Sequence, residues 1–251
     1  MAFQTIAVWF SCGAASAVAA KETLRLYGRS HHVRVVNNPV SEEDDDNRRF
    51  LIDVQAWLGV EIEDARNAKW PAASAREVWA KRRFMAGPHG APCTQELKKA
   101  AREQWEAINC PDWHVLGFTA DEQRRHARFL NSERVNVLPV LIGAGITKAM
   151  CFDIIAKAGI ELPRIYRLGF PNANCVGCVK ATSPTYWNMV RQHYPEVFAD
   201  RAVQSREIGA RLVEVHKQRI FLDDLAPDQQ GGKLKSWAPD CGIFCEEREV
   251  A

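Results

Sequence analysis

Two rhythms of apolar and polar positions run through the first 160 residues, and the switches between them mark the elements. Residues 3–10 form a short apolar run suited to a central strand buried on both faces. Ala-rich residues 16–28 then predict a helix closing at Gly28, and residues 33–37 a second strand. An acidic loop, Ser41-Glu42-Glu43-Asp44-Asp45-Asp46-Asn47, leads into a helix over about 47–57, with Ser41 and Asp44 expected as its capping box. A strand near 60–63, a helix near 74–84, a turn-rich break at 87–92 and a helix over 94–106 follow. Strands are expected at 113–118 and 137–141, with a helix capped by Thr119 between them and another over 147–158 ending at Gly159.

Strands alternating with helices predict an α/β fold: a doubly wound, mostly parallel sheet with helices on both faces. From about residue 160 the rhythm changes. Pro163, Pro171, Pro184 and Pro195 punctuate the chain, helices are expected at 183–193 and 196–217, and the tail from Ala226 is polar and Gly-rich. This divides the chain into a 1–159 α/β domain and a 160–251 Cys-containing, helical extension docked on it.

Composition narrows the function classes. A net charge of +2 gives no bulk case for nucleic-acid or membrane binding. No apolar run approaches the roughly 20 residues of a membrane span, and the uncharged first residues do not resemble a secretory signal. The chain is expected to be cytoplasmic, where eight cysteines are metal ligands, catalytic thiols or buried residues rather than a disulfide framework.

The run Ser11-Cys12-Gly13-Ala14-Ala15-Ser16 places small residues between a buried strand and a helix, where backbone N–H groups and the helix N-terminus suit an anion. It resembles the PP-loop, Ser-Gly-Gly-x-Asp-Ser, of adenine nucleotide alpha-hydrolase-like proteins, a superfamily that includes ATP pyrophosphatases and phosphoadenosine-phosphosulfate (PAPS) reductases. Ser11, Gly13 and Ser16 match; Cys12 stands for a glycine and Ala15 for the aspartate, which tilts the likeness toward the PAPS-reductase branch. Three further stretches are similar to that branch: Ala91-Pro92-Cys93-Thr94-x-x-Leu97-Lys98, Leu116-Gly117-Phe118-Thr119-x-x-Glu122-x-x-Arg125, and Asn172-x-Asn174-Cys175-x-x-Cys178-Val179-Lys180.

The resemblance implies a nucleotide site formed by Ser11, Cys12, Gly13, Ala14, Ser16, Lys98, Gly117, Phe118, Glu122 and Arg125. Lys98 would neutralise a phosphate or sulfate arm. Glu122 and Arg125, three apart on a helix, either fix the loop at Gly117 or form a solvated ion pair. Cys93, before a helix start, is either a nucleophile with a lowered pKa or a buried cap residue.

Cys175-Val176-Gly177-Cys178 reads as a ligand knuckle and Cys241-Gly242-Ile243-Phe244-Cys245 as a second pair, so Cys175, Cys178, Cys241 and Cys245 are the expected metal set, for Zn²⁺ or a [4Fe–4S] cluster. Structural thiols and a redox pair are the alternatives. Asp240-Cys241-Gly242-Ile243 is also similar to the C-terminal Glu-Cys-Gly-Leu-His motif of PAPS reductases, whose cysteine attacks sulfur, which makes Cys241 a second catalytic candidate. Cys110 and Cys151 are expected in or near the core, and the tryptophans are read as packing.

Three functions stay open. The first is sulfur chemistry on a sulfonucleotide, with PAPS or its product 3′-phosphoadenosine 5′-phosphate (PAP) as ligand and a thioredoxin-like reductant as partner. The second is ATP-dependent sulfur modification of a nucleobase or tRNA with a Cys-bound cluster, and the third a non-catalytic nucleotide-binding module with a structural metal clip.

Overall fold

The computed structural model describes residues 3–88 and 90–232. In chain order the strands and helices begin β1 (Thr5–Phe10), α1 (Ala14–Tyr27), β2 (His32–Asn37), α2 (Asp46–Leu58), β3 (Ile62–Asp64), α3 (Ala75–Arg82), α4 (Ala100–Asn109) and β4 (Trp113–Val115). They continue with α5 (Gln123–Ser132), α6 (Val140–Gly143), α7 (Lys148–Lys157), α8 (Arg164–Arg167), α9 (Pro184–His193), α10 (Pro195–Ile208), β5 (Val213–Val215) and β6 (Gln218–Ile220). No helix among the described residues is long and apolar enough to cross a membrane.

The chain divides into two compact units, each with its own apolar core. The first comprises Met1–Pro39, Asp45–Ala68 and Ala100–Arg164; the second comprises Val40–Asp44, Lys69–Lys99 and Ile165–Ala251. Segments 40–44 and 69–99, early in the sequence, therefore group with residues 165–232.

The first unit is α/β, built on a four-stranded, all-parallel sheet in the order β3-β2-β1-β4. Its centre is β1, where residues 6–10 are almost wholly excluded from solvent. Ile6, Val8 and Phe10 share a core with Ala17 and Ala20 of α1, Phe50 and Val54 of α2, and Ile155 of α7. Alanines let α1 approach the sheet and α7 closely. On the other face Trp9 meets Trp105 of α4 edge to face, with ring centroids 5.5 Å apart. A polar layer surrounds this pair: Arg34 lies over the Trp105 ring and pairs with Glu63 of β3.

Four local expectations are corrected. Residues 137–141 do not form a strand; a single bridge joins Val137 to His114, because Pro139 has no N–H to extend the ladder and the chain turns helical at Val140. Ser41 and Asp44 form no capping box: the Ser41 hydroxyl donates to the Ala72 carbonyl, Asp44 accepts from the Tyr194 hydroxyl, and α2 starts behind Asp45 with no side-chain cap. The helix expected to reach 217 stops at Ile208, where Gly209 turns left-handed, and a β5–β6 hairpin follows. Cys110 is exposed rather than near-core, on a left-handed residue directly after α4.

Cys151 is buried as expected, and burial pushes its thiol up to about 12. Iodoacetamide should therefore label Cys110 in the native protein and reach Cys151 only in denaturant. Peptide mass mapping checks this, and native labelling of Cys151 would contradict its placement.

The second unit packs α9 and α10 around Trp187, Val190, Phe198 and Ala202, with Trp79 of α3 in the same core. Prolines occupy the first turns of α9 and α10, where a missing N–H costs nothing. Glu42 caps α3: its carboxylate accepts from the Ala75 and Arg76 N–H groups at 2.7 and 2.9 Å and from the Ser74 hydroxyl.

Candidate functional site

Two candidate sites emerge, one in each unit. In the first, the chain leaves β1 at Phe10 and reverses through Cys12, which is left-handed at φ +54°, before α1 begins behind an extended Gly13. The Ser16 hydroxyl ties this loop shut, donating to the Gly13 carbonyl at 2.9 Å and accepting from the Ser11 N–H at 3.1 Å. From the other side Asn37, at the end of β2, donates to the Phe10 carbonyl at 2.8 Å. The first bond of α1 runs from the Ala17 N–H to Gly13, so the N–H groups of residues 14–16 have no partner within the helix.

Gly117, just beyond β4, lies directly against this turn. A Cβ there would stand 2.9 Å from the Ser16 nitrogen and 3.1 Å from the Ala15 carbonyl carbon. Glycine is required for close approach rather than for an unusual dihedral angle. The loop beyond is fastened by a capping box: the Glu122 carboxylate accepts from the Thr119 N–H at 3.1 Å and from its hydroxyl at 3.2 Å. Arg125 binds the other Glu122 oxygen at 2.6 Å and lays its guanidinium over the Phe118 ring. The structure thus brings Ser11, Cys12, Gly13, Ala14, Ser16, Gly117, Phe118, Glu122 and Arg125 to one edge of one sheet. That edge is the C-terminal end of β1 and β4, where the strand order reverses direction, the usual place for a ligand in an open α/β sheet.

The chain matches no family model and no curated protein. The reading of both sites therefore rests on their geometry and on the motifs.

The remaining predicted residues belong to the second unit. Cys93, Lys98, Cys175 and Cys178 line one small cavity of about 20 Å³, together with Trp79, Thr94, Lys180 and apolar side chains. Cys93 and Lys98 come from a π-helical turn, Thr94–Lys99, and the residue before it; such turns recur at functional sites. Lys98 is buried, its ammonium 3.9 Å from the Glu43 carboxylate.

The Tyr186 hydroxyl braces the Cys175–Cys178 knuckle, accepting from the Cys178 N–H at 2.9 Å and donating to the Cys175 carbonyl at 3.4 Å. Gly177 supplies the left-handed residue of the turn. Beneath lies Arg201, 2 % exposed and stacked on Trp79. Burial pushes its guanidinium down, while Glu42, Asp200 and Cys175 favour the charged form.

Cys241 and Cys245, expected as ligands and, for Cys241, as a nucleophile, lie outside the described residues. Among the described residues no group of three or more His, Cys, Asp or Glu is placed to hold a metal ion. Sequence reasoning missed Trp79, Thr94, Tyr186 and Arg201. Arg201 and Trp79 sit in helices whose sequences carry no sign that those faces turn inward on a thiol knuckle.

Proposed function

We propose that the first unit binds an adenine nucleotide by its phosphate arm, and that the protein acts on a sulfonucleotide or in a related sulfur transfer, as the PAPS-reductase-like proteins it resembles do. On this reading the sheet is the doubly wound, adenine nucleotide alpha-hydrolase-like arrangement. The observation that carries the proposal is the closed turn at residues 11–16, with Gly117 pressed on its helix start. A small-residue turn held closed by its two serine hydroxyls and the positive end of a 14-residue helix favour an anion at that edge. No acidic residue lies in the first turn of α1 to hold magnesium beside a triphosphate, which favours a sulfonucleotide over ATP.

Titration calorimetry tests this. PAP should bind the wild type, and Ser11→Ala with Ser16→Ala should weaken it by at least about tenfold, or 1.4 kcal/mol. Binding of ATP with none of PAP would overturn the reading. It would favour an ATP-dependent sulfur modification of a nucleobase or tRNA, the second reading, which the clustering of three cysteines around one cavity supports.

A further inference from the structure

We infer that Cys175 and Cys178 are a thiol–disulfide couple, closed to an intramolecular disulfide by a small disulfide of the glutathione type and reopened by excess thiol. The inference stands on the second unit alone and does not depend on the nucleotide reading.

Three features carry it. First, the two cysteines are the end residues of one tight turn, with Gly177 left-handed at φ +67°. The ends of such a turn lie within about 7 Å of each other, and a disulfide joins Cα atoms about 4.4–6.8 Å apart. A Cβ on Gly177 would stand 3.1 Å from Val197 Cγ1, so the turn is fixed by the packing around it. Second, one buried oxygen holds both ends: the Tyr186 hydroxyl accepts from the Cys178 N–H and donates to the Cys175 carbonyl. The pair is thereby pre-organised, and closing the bond orders little that is not already held. Third, burial divides the roles. Cys175 is partly exposed and Cys178 is buried, and both line the same small cavity. Close-packed interiors rarely leave such a space; here it gives the Cys178 thiol room to turn toward Cys175.

The exchange runs in two steps. The Cys175 thiolate attacks one sulfur of the small disulfide, forming a mixed disulfide and releasing one small thiolate. The Cys178 thiolate then attacks Cys175 Sγ, the protein S–S bond forms, and the second small thiolate leaves. The two protons of the protein thiols end on the two released thiols. The pair loses two electrons, and the small disulfide gains them.

The test equilibrates the full chain, purified under reducing conditions, in glutathione buffers of rising oxidised fraction, followed by acid quench, alkylation and tryptic digestion. Leu168–Lys180 is one tryptic peptide that carries Cys175 and Cys178 and no other cysteine. Its disulfide form resists alkylation and lacks two hydrogens of the dithiol, and it should form and revert across the series. Cys178→Ser should hold glutathione on Cys175, whereas Cys175→Ser should leave Cys178 unmodified. Tyr186→Phe, without the brace, should need at least about threefold more oxidised glutathione for half-conversion at fixed reduced glutathione. Loss of packing alone would not move that midpoint, and far-ultraviolet dichroism checks that each variant is folded.

Any of four results would overturn the assignment. They are a peptide that stays dithiol in oxidised glutathione alone, Cys175 or Cys178 joined instead to Cys93, Cys241 or Cys245, glutathione on Cys178 rather than Cys175 in the single variants, or a metal ion retained by these thiols in the purified chain. An unchanged midpoint in folded Tyr186→Phe would overturn the part given to the brace.

Discussion

Gly117→Ala is expected to lose measurable PAP binding and to unfold at a clearly lower denaturant concentration than the wild type. The added methyl would stand 2.9 Å from the Ser16 nitrogen, 3.1 Å from the Ala15 carbonyl carbon and 3.2 Å from the Ser16 Cα. All three atoms are backbone, so no rotamer change relieves the contact; either the start of α1 or the strand end must move. Overpacking of this kind costs about 1–3 kcal/mol. The displaced atoms are those that shape the proposed anion site, so the affinity loss should exceed about tenfold. Gly143→Ala is the control: its Cβ would meet nothing within 4 Å, and reduced freedom of the unfolded chain should leave it neutral or slightly stabilised. Calorimetry and denaturant titration of the two variants settle the matter. Wild-type affinity in Gly117→Ala would mean that the turn at residues 11–16 holds no nucleotide.

That a glycine so far along the chain touches the first loop was legible only as a motif. Strand β1 was legible as a continuous apolar run, as a parallel strand buried on both faces requires, and the other sheet strands as short segments rich in β-branched or aromatic residues. Helix α7 was bounded by its Thr147 cap and by Gly159. The misses have physical causes. Val137 and Leu138 carry the right side chains for a strand, but Pro139 removes the donor that a second ladder bond needs. The β5–β6 hairpin turns through His216 and Lys217, both at positive φ. Such a turn is normally announced by Asn or Gly, so nothing in these residues signals it.

The cavity of the second unit was half legible. Cys175 and Cys178 announce a knuckle by spacing, and Cys93 stood out before a helix start. Their meeting depends on residues 69–99 packing with residues beyond 165, a tertiary fact that local pattern does not contain. The buried Arg201 is the least legible of all. A guanidinium in a helix reads as a solvated face, and it is the stack on Trp79, the contact with Gln204 and the Asp200 carboxylate 3.7 Å away that explain its burial.

The second large effect is acid destabilisation of the first unit through His114. Burial, and then the positive charges of Arg134 and Arg102, hold this imidazole down at about 3 against an ordinary 6.5. The geometry gives the same direction: the Trp9 indole N–H faces Nδ1 at 3.1 Å and the Arg134 guanidinium faces Nε2 at 2.6 Å. A doubly protonated ring would set an N–H against each of these donors. The Glu106 carboxylate, 3.6 Å from Nδ1, does not outweigh this, because Arg134 engages both of its oxygens. Between the two pKa values the unfolded chain binds the proton and the native chain does not, so stability is full above about 6.5 and falls as pH drops toward 3. One such group removes roughly 2 kcal/mol between pH 6 and pH 4.5. His126, lowered by burial, acts in the same direction. Asp46, held down at about 2 by Arg49, takes effect only below its ordinary 3.8. Denaturant midpoints measured from pH 7 to pH 4.5 should therefore fall steadily in the wild type. In His114→Phe, which keeps a ring against Trp9 and cannot take a proton, the starting stability should be lower and the slope flatter, with the His126 part remaining. An equal slope in the two proteins would place the titration elsewhere.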